Sequence, residues 1–182
     1  MRPNREQHAE TAYHVSTHGN DDRGAIFADD SDRDRFLAVL ADTVGRSGWH
    51  LHAYCLMDTH YHLLVYTPEM SLAKGMWRLN TVYAQTHNRR HGRRGHLFRE
   101  RYWSTPIVTD GHLLQVMRYI PLNPVAAGVC AEAAEWRWSS YRATAGLITP
   151  PSYLHVEWTR GFFGAEPAAA CARYRSFIAG EC

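Results

Sequence analysis

The chain has 182 residues, 45% hydrophobic and 21% charged, with a formal net charge of +2. That composition suits one globular domain with a core and a small appendage. It excludes a membrane span, since no apolar run approaches the roughly 18 residues one needs, and MRPNREQHAE lacks the apolar centre of a signal peptide. Cys55, Cys130, Cys171 and Cys182 are scattered with no CxxC pair, which argues against a disulfide framework or zinc ribbon. Reduced thiols in a cytoplasmic protein are expected.

The first predicted strand runs from Thr11 to Thr17 and is closed by Gly19-Asn20. Ser31 starts a helix, with Asp34 three residues on as a capping box. Phe36, Leu37, Leu40 and Val44 fall at helical spacing, and Ser47-Gly48 ends the element. Trp49 to Met57 and His60 to Thr67 read as strands, and the short Asp58-Thr59 link makes them a hairpin. Pro68 ends the second of these, and Ser71 caps a longer helix with the stripe Leu72, Met76, Leu79 and Tyr83. A fourth strand lies within Leu97 to Val108. Thr109-Asp110 then caps a helix whose stripe is Leu113, Val116, Met117 and Ile120.

The order is βαββαβ followed by a helix. It predicts an α+β, ferredoxin-like fold: an antiparallel sheet with helices on one face, plus a C-terminal helix and a short tail. The remainder holds Trp136-Arg137-Trp138-Ser139-Ser140-Tyr141, a Pro150-Pro151 break and a helical stretch around Ala168 to Ile178. The expected organisation is a domain over 1–128, with 129–182 as an extension packed on it.

Charge is distributed unevenly. Between His87 and Trp103 lie Arg89, Arg90, Arg93, Arg94, Arg99 and Arg101 against the single Glu100, followed by Tyr102 and Trp103. Acidic residues gather in Asp21-Asp22 and Asp29-Asp30-Ser31-Asp32. Arginines beside aromatics suit phosphate contacts and base stacking; a solvated charged loop is the plainer reading.

With 12 histidines in the chain, one His-x-His pair is expected by chance, and there are two: His50-Leu51-His52 and His60-Tyr61-His62. Residues i and i+2 of a strand share a face, so either pair could present two imidazoles to a metal or serve as ordinary structural histidines. A two-residue hairpin loop sets Cys55 opposite His62 and Met57 opposite His60, and turns His50 and His52 to the other face. On the helix after the fourth strand, Tyr119 lies off the apolar stripe, and Asn123 is one turn further on. Such a flank beside two imidazoles could assemble a metal-assisted nucleophile; equally, Asn-Pro could be the stop signal of a helix ending on a half-buried tyrosine. Pro121 disfavours helical geometry at Ile120 and predicts a distorted turn before Asn123.

Taken together, these residues resemble the REP-associated tyrosine transposases. That group belongs to the HUH single-strand endonucleases, alongside the transposases of single-stranded insertion sequences. Six segments carry the resemblance, in the family's order: HVSTHGN (His14 to Asn20), WHLHAYCLMDTHYHLLV (Trp49 to Val65), NRRHGRRGHLFRERY (Asn88 to Tyr102), RYIPLNPVAAG (Arg118 to Gly128), WRWSSY (Trp136 to Tyr141) and RYRSFI (Arg173 to Ile178). The resemblance implies that His60 and His62 are metal ligands with Asn123 as a third, amide-type ligand, and that Tyr119 is the nucleophile. Three positions depart from the pattern: Asp58-Thr59 where the family has Pro-Asn, His18 where it has Arg, and Pro121 where it commonly has His. The first two touch the hairpin turn and DNA contacts, and the third touches the geometry between Tyr119 and Asn123.

The implied activity is metal-dependent cleavage and rejoining of single-stranded DNA near palindromic hairpin repeats, through a 5′-phosphotyrosine. Mg²⁺ or Mn²⁺ suits two imidazoles with amide and water oxygens. The six arginines are the phosphate-contact candidates, with Tyr102 and Trp103 as stacking partners. The expected partner is single-stranded DNA carrying a hairpin of a repeated palindrome, met by a monomer rather than a homodimer. A hairpin-binding protein that does not cut is the alternative. A small-molecule metallohydrolase explains neither the arginines nor the aromatics.

Overall fold

In the computed structural model, residues 8–20 and 24–180 are described. The first seven residues, the Asp21-Asp22 pair and Cys182 lie outside the described residues. The elements are β1 (Thr11–His18), α1 (Asp30–Ser47), β2 (His50–Leu56), β3 (His60–Thr67), α2 (Leu72–Arg90), β4 (Trp103–Ile107), α3 (Asp110–Ala126), α4 (Tyr141–Thr144), α5 (Val156–Gly161) and α6 (Pro167–Ala179). The four strands form one antiparallel sheet in the order β2-β3-β1-β4, as the βαββαβ pattern predicts.

Alternation along the strands divides the core in two. Tyr13, Val15, Leu56, Tyr61, Leu63 and Val65 pack against Phe36 and Leu40 of α1 and Met76, Leu79 and Tyr83 of α2. On the other face, Ala53, Cys55 and Leu64 meet Leu113, Val116, Met117 and Ile120 of α3. The sheet therefore separates α1 and α2 from α3.

The helix ends correct two sequence expectations. α1 is capped by Asp29 rather than by a Ser31–Asp34 box: its extended backbone (φ −156°) lets the carboxylate accept the Asp32 N–H at 3.0 Å. Ser71 stands at the N-cap of α2, but its hydroxyl makes no capping bond. It accepts from Trp49 Nε1 (3.1 Å) and donates to the Ser47 carbonyl (3.0 Å), tying the end of α1 to the start of α2. Gly75 completes that junction, because a Cβ there would lie 2.1 Å from the Trp49 ring.

The hairpin forms with Cys55 opposite His62, as expected. The strand before it does not keep register. A bulge between Leu51 and Ala53 brings His50 opposite Tyr66, so His50 returns to the face of His60 and His62, contrary to the uninterrupted alternation. The bulged His52 is buried and stacks on Trp158 at 3.9 Å, while His50 stacks on His155 at 4.6 Å.

The residues after α3 close the open edge of β2. Leu56 N–H donates to the Trp138 carbonyl (2.9 Å), Ser140 N–H to the Tyr54 carbonyl (2.9 Å), and His155 N–H to the Leu51 carbonyl (2.8 Å). An exposed sheet edge invites pairing with other chains, and this segment removes it. The Arg33 guanidinium lies 5.6 Å from the rings of Phe27, Trp136 and Trp138 and donates to Asp58 in the hairpin turn.

Candidate active site

β3 projects His60 and His62 onto the α3 face, and β1 adds to them. The register sets His18 opposite His60 and Ser16 opposite His62, so His14 and His18 share that face. His18 and His60 stack at 4.8 Å, and the His60 and His62 ring centroids are 5.1 Å apart. His14 Nε2 and His62 Nδ1 are hydrogen bonded at 3.1 Å. His60 Nδ1 lies 3.1 Å from the Thr59 hydroxyl. Each Nδ1 is thus engaged, which leaves the Nε2 atoms as the available donors.

α3 crosses this cluster. Thr109 caps it by accepting the His112 N–H at 3.2 Å, as predicted. The helix runs unbroken through Pro121 and Pro124 to Ala126, so the expected distortion is absent. Both prolines are buried on the packed side of the helix, and the Asn123 side-chain amide donates to the Tyr119 carbonyl at 2.9 Å, supplementing the backbone ladder. Tyr119 is half exposed, with its ring 5.2 Å from His62 and 5.6 Å from His14. The Asn123 side chain opposes the lowering of the His60 and His62 pKa values by burial.

Burial sets the protonation of the cluster. It pushes His62 down to about 3, with the imidazoles of His14, His60 and His18 adding to the effect and Asn123 opposing it. His60 is lowered by burial and by His18, and His14 by burial and by His112. Neutral imidazoles with Nε2 lone pairs, beside an amide oxygen, fit a divalent cation.

The strand pattern HVSTH held the signal for the two residues that sequence reasoning missed. His14 and His18 are four positions apart on one strand, an even interval, and only the pairing of β1 with β3 brings them to the ligand pair.

The arginine-rich segment divides. Arg90 is committed to ion pairs with Asp29 (2.6 Å) and Asp32 (2.5 Å). Arg89, Arg94, Arg99 and Arg101 are exposed, and Arg93 partly so. Tyr102 is buried in the main core, while Trp103 is 65% exposed, so Trp103 is the ring of the pair open to a stacking base. A groove of about 500 Å³ lies between α2 and the segment after it, lined by Asn80, Gln85, Asn88, His96, Arg99 and Arg101 among others. On the face of the sheet away from Tyr119, Asp32, His87 and His91 bring potential ligand atoms within 4.8 Å of one another. No helix among the described residues is long and apolar enough to cross a membrane.

A family model described as "Transposase IS200 like" matches residues 8–123. Among solved structures, the REP-associated tyrosine transposase bound to a REP hairpin is similar over 87% of this chain and 90% of its own, with a TM-score of 0.69 at 12% identity. A proposed transposase of Deinococcus radiodurans R1 is similar over 66% of this chain and 95% of its own, with a TM-score of 0.46 at 20% identity. No curated protein matches the sequence.

Proposed function

The chain belongs to the IS200-like transposase family, and from that membership we propose that it nicks and rejoins single-stranded DNA near palindromic hairpins through Tyr119. The observation that carries the reading is the half-exposed Tyr119 ring 5.2 Å from His62, with Asn123 one helical turn on along the same helix. A nucleophile, two imidazoles and an amide oxygen from two elements, α3 and β3, converge where one phosphodiester can sit.

His60, His62 and Asn123 would hold Mg²⁺ or Mn²⁺. When bound, the ion supplies Lewis-acid stabilisation of the charge that builds on the phosphoryl oxygens. The chain's residues do the rest. The Tyr119 oxygen attacks phosphorus; the bond from phosphorus to the 3′ oxygen breaks, and the phenolic proton passes to solvent as the released 3′ oxygen takes one up. The products are a 5′-phosphotyrosine and a free 3′-OH. Retention of the phosphoester in covalent form allows rejoining without a further energy source. α3 fixes the distance from tyrosine to ligands, because Tyr119 and Asn123 share one rigid face.

Single-stranded substrate follows from access, since a scissile phosphate in a duplex is flanked by stacked bases. Arg89, Arg93, Arg94, Arg99 and Arg101 contact phosphates, and Trp103 stacks a base. The hairpin carried by the REP-associated transposase of similar fold supports a palindromic hairpin as the element recognised. The protein acts in the cytoplasm as a monomer.

The test is a denaturing gel of labelled hairpin-bearing single strands incubated with protein and Mg²⁺ or Mn²⁺, with and without chelator. A slow-migrating, protease-sensitive, metal-dependent adduct that disappears in Tyr119→Phe is the expected result. An adduct that persists in the variant would assign the attack elsewhere. Binding without attachment under both metals would leave a hairpin-binding protein.

A further inference from the structure

On the face of the sheet away from Tyr119, the first turn of α1 meets the last turn of α2. His87 lies in the last turn of α2 and His91, four residues on, is its C-cap, so the two side chains follow one helix face. Their ring centroids are 4.4 Å apart. Asp32, fully buried, faces both: its Oδ2 is 2.9 Å from His91 Nε2 and 3.7 Å from His87 Nε2. The same Oδ2 accepts the Ala28 N–H at 2.9 Å, and Oδ1 accepts from Arg90 at 2.5 Å.

His87 is the unexplained member. It is 1% exposed, and neither ring nitrogen has a hydrogen-bond partner among the described residues. Burying an unpaired polar group costs free energy, so an orphaned imidazole in a native core calls for a ligand. A tetrahedral zinc ion, with Zn–N and Zn–O bonds of 2.0–2.2 Å, sets neighbouring ligand atoms about 3.3 Å apart. The separations of 2.9 and 3.7 Å bracket that figure.

We propose that Asp32, His87 and His91 form a zinc site, distinct from the His60–His62–Asn123 set, that pins α1 to the end of α2. The donors are two imidazoles and one carboxylate oxygen, with water completing the tetrahedron. Asp32 spans the ion and Arg90, taking one on each oxygen, and Asp29 offsets the Arg90 charge. Because His91 directly follows α2, the ion fixes the point at which the arginine-rich segment leaves the helix.

The proposal is tested on the full chain in an H60A/H62A background, so that zinc cannot occupy the other set. Metal-free protein is equilibrated with Zn²⁺, freed of excess, and its zinc counted by mass spectrometry. In parallel, Co²⁺ is added and the visible absorption recorded. The expected result is one retained zinc per chain, a strong tetrahedral Co²⁺ band, and a zinc-dependent rise in Tm. Adding His91→Ala, the most exposed of the three ligands, should weaken zinc binding by roughly 100-fold or more. Failure of the parent to retain zinc or show the cobalt band would overturn the proposal, whatever the variant does. Retention unchanged in His91→Ala would do the same. Neither outcome depends on DNA cleavage.

Discussion

The two histidine clusters lie on opposite faces of one sheet and differ in how they meet solvent. At α3, neutral imidazoles from β1 and β3 stand beside an exposed phenol and an amide, with no carboxylate among the proposed ligands and room for a substrate phosphate. Between α1 and α2, a fully buried carboxylate faces two imidazoles within a ring of ion pairs. The two proposed metal sites divide by access: the first lies open to a substrate phosphate, while the second is buried between two helices with a single water as its remaining ligand. One sheet thus supports a site that must admit a ligand and another that holds two helices.

The sharpest way to break this contrast is to remove Asp32. Asp32→Ala strands Arg90, His87 and His91 around a buried void and should cost about 3–5 kcal/mol of unfolding free energy in urea titration. A change under about 1 kcal/mol would show that the cluster is not structural. On the other face, His60→Ala, at a partly exposed imidazole, should leave the unfolding midpoint nearly unchanged while adduct formation falls by roughly 100-fold or more; equal losses of fold and adduct would erase the distinction.

His14 tests the supporting layer of the open site. His14→Ala should slow adduct formation by roughly 10–100-fold, with the loss partly relieved by higher metal concentration, because the lost contact orients His62 rather than touching DNA. A loss that metal does not relieve would put His14 on the substrate instead.

Acid should act through the buried imidazoles. Unfolded His62 takes a proton near its ordinary 6.5, whereas the folded residue, held to about 3, refuses it until far lower pH. The unfolded state therefore binds more protons across that window, and stability falls as pH drops below 6.5. The slope is on the order of 1 kcal/mol per pH unit. His62→Ala should flatten it in melts taken at pH 7, 6 and 5; an unchanged slope would assign it to other groups, such as His52.

The smallest effect separates arginines within one segment. Replacing Arg89 and Arg101 should each reduce the salt dependence of single-strand binding by about 0.7 in log–log slope. Arg90→Gln should leave that slope unchanged, since its charge is already matched by Asp29 and Asp32.

Much of this was legible in local pattern. Strand alternation, the cap at Thr109 and the helical stripes led to the sheet and its order, because each depends on neighbours a few residues apart. His60, His62, Tyr119 and Asn123 could be picked out from motif and spacing. Asp29 in place of Ser31 as the cap, and the bulge that returns His50 to the other face, were not readable, since each turns on packing between segments.

By itself, then, the sequence determined the element order, the pair of same-face histidines on β3 and the one-turn interval from Tyr119 to Asn123, all properties of a 2.0 or 3.6 residue period. Only the tertiary structure decided that His14 and His18 join that pair across β1, that Tyr102 goes inside while Trp103 stays out, and that Asp32 meets His87 and His91 across more than fifty residues of chain. Those outcomes rest on strand register and helix docking. Both are fixed by burying apolar surface over the whole domain, and no local period encodes them.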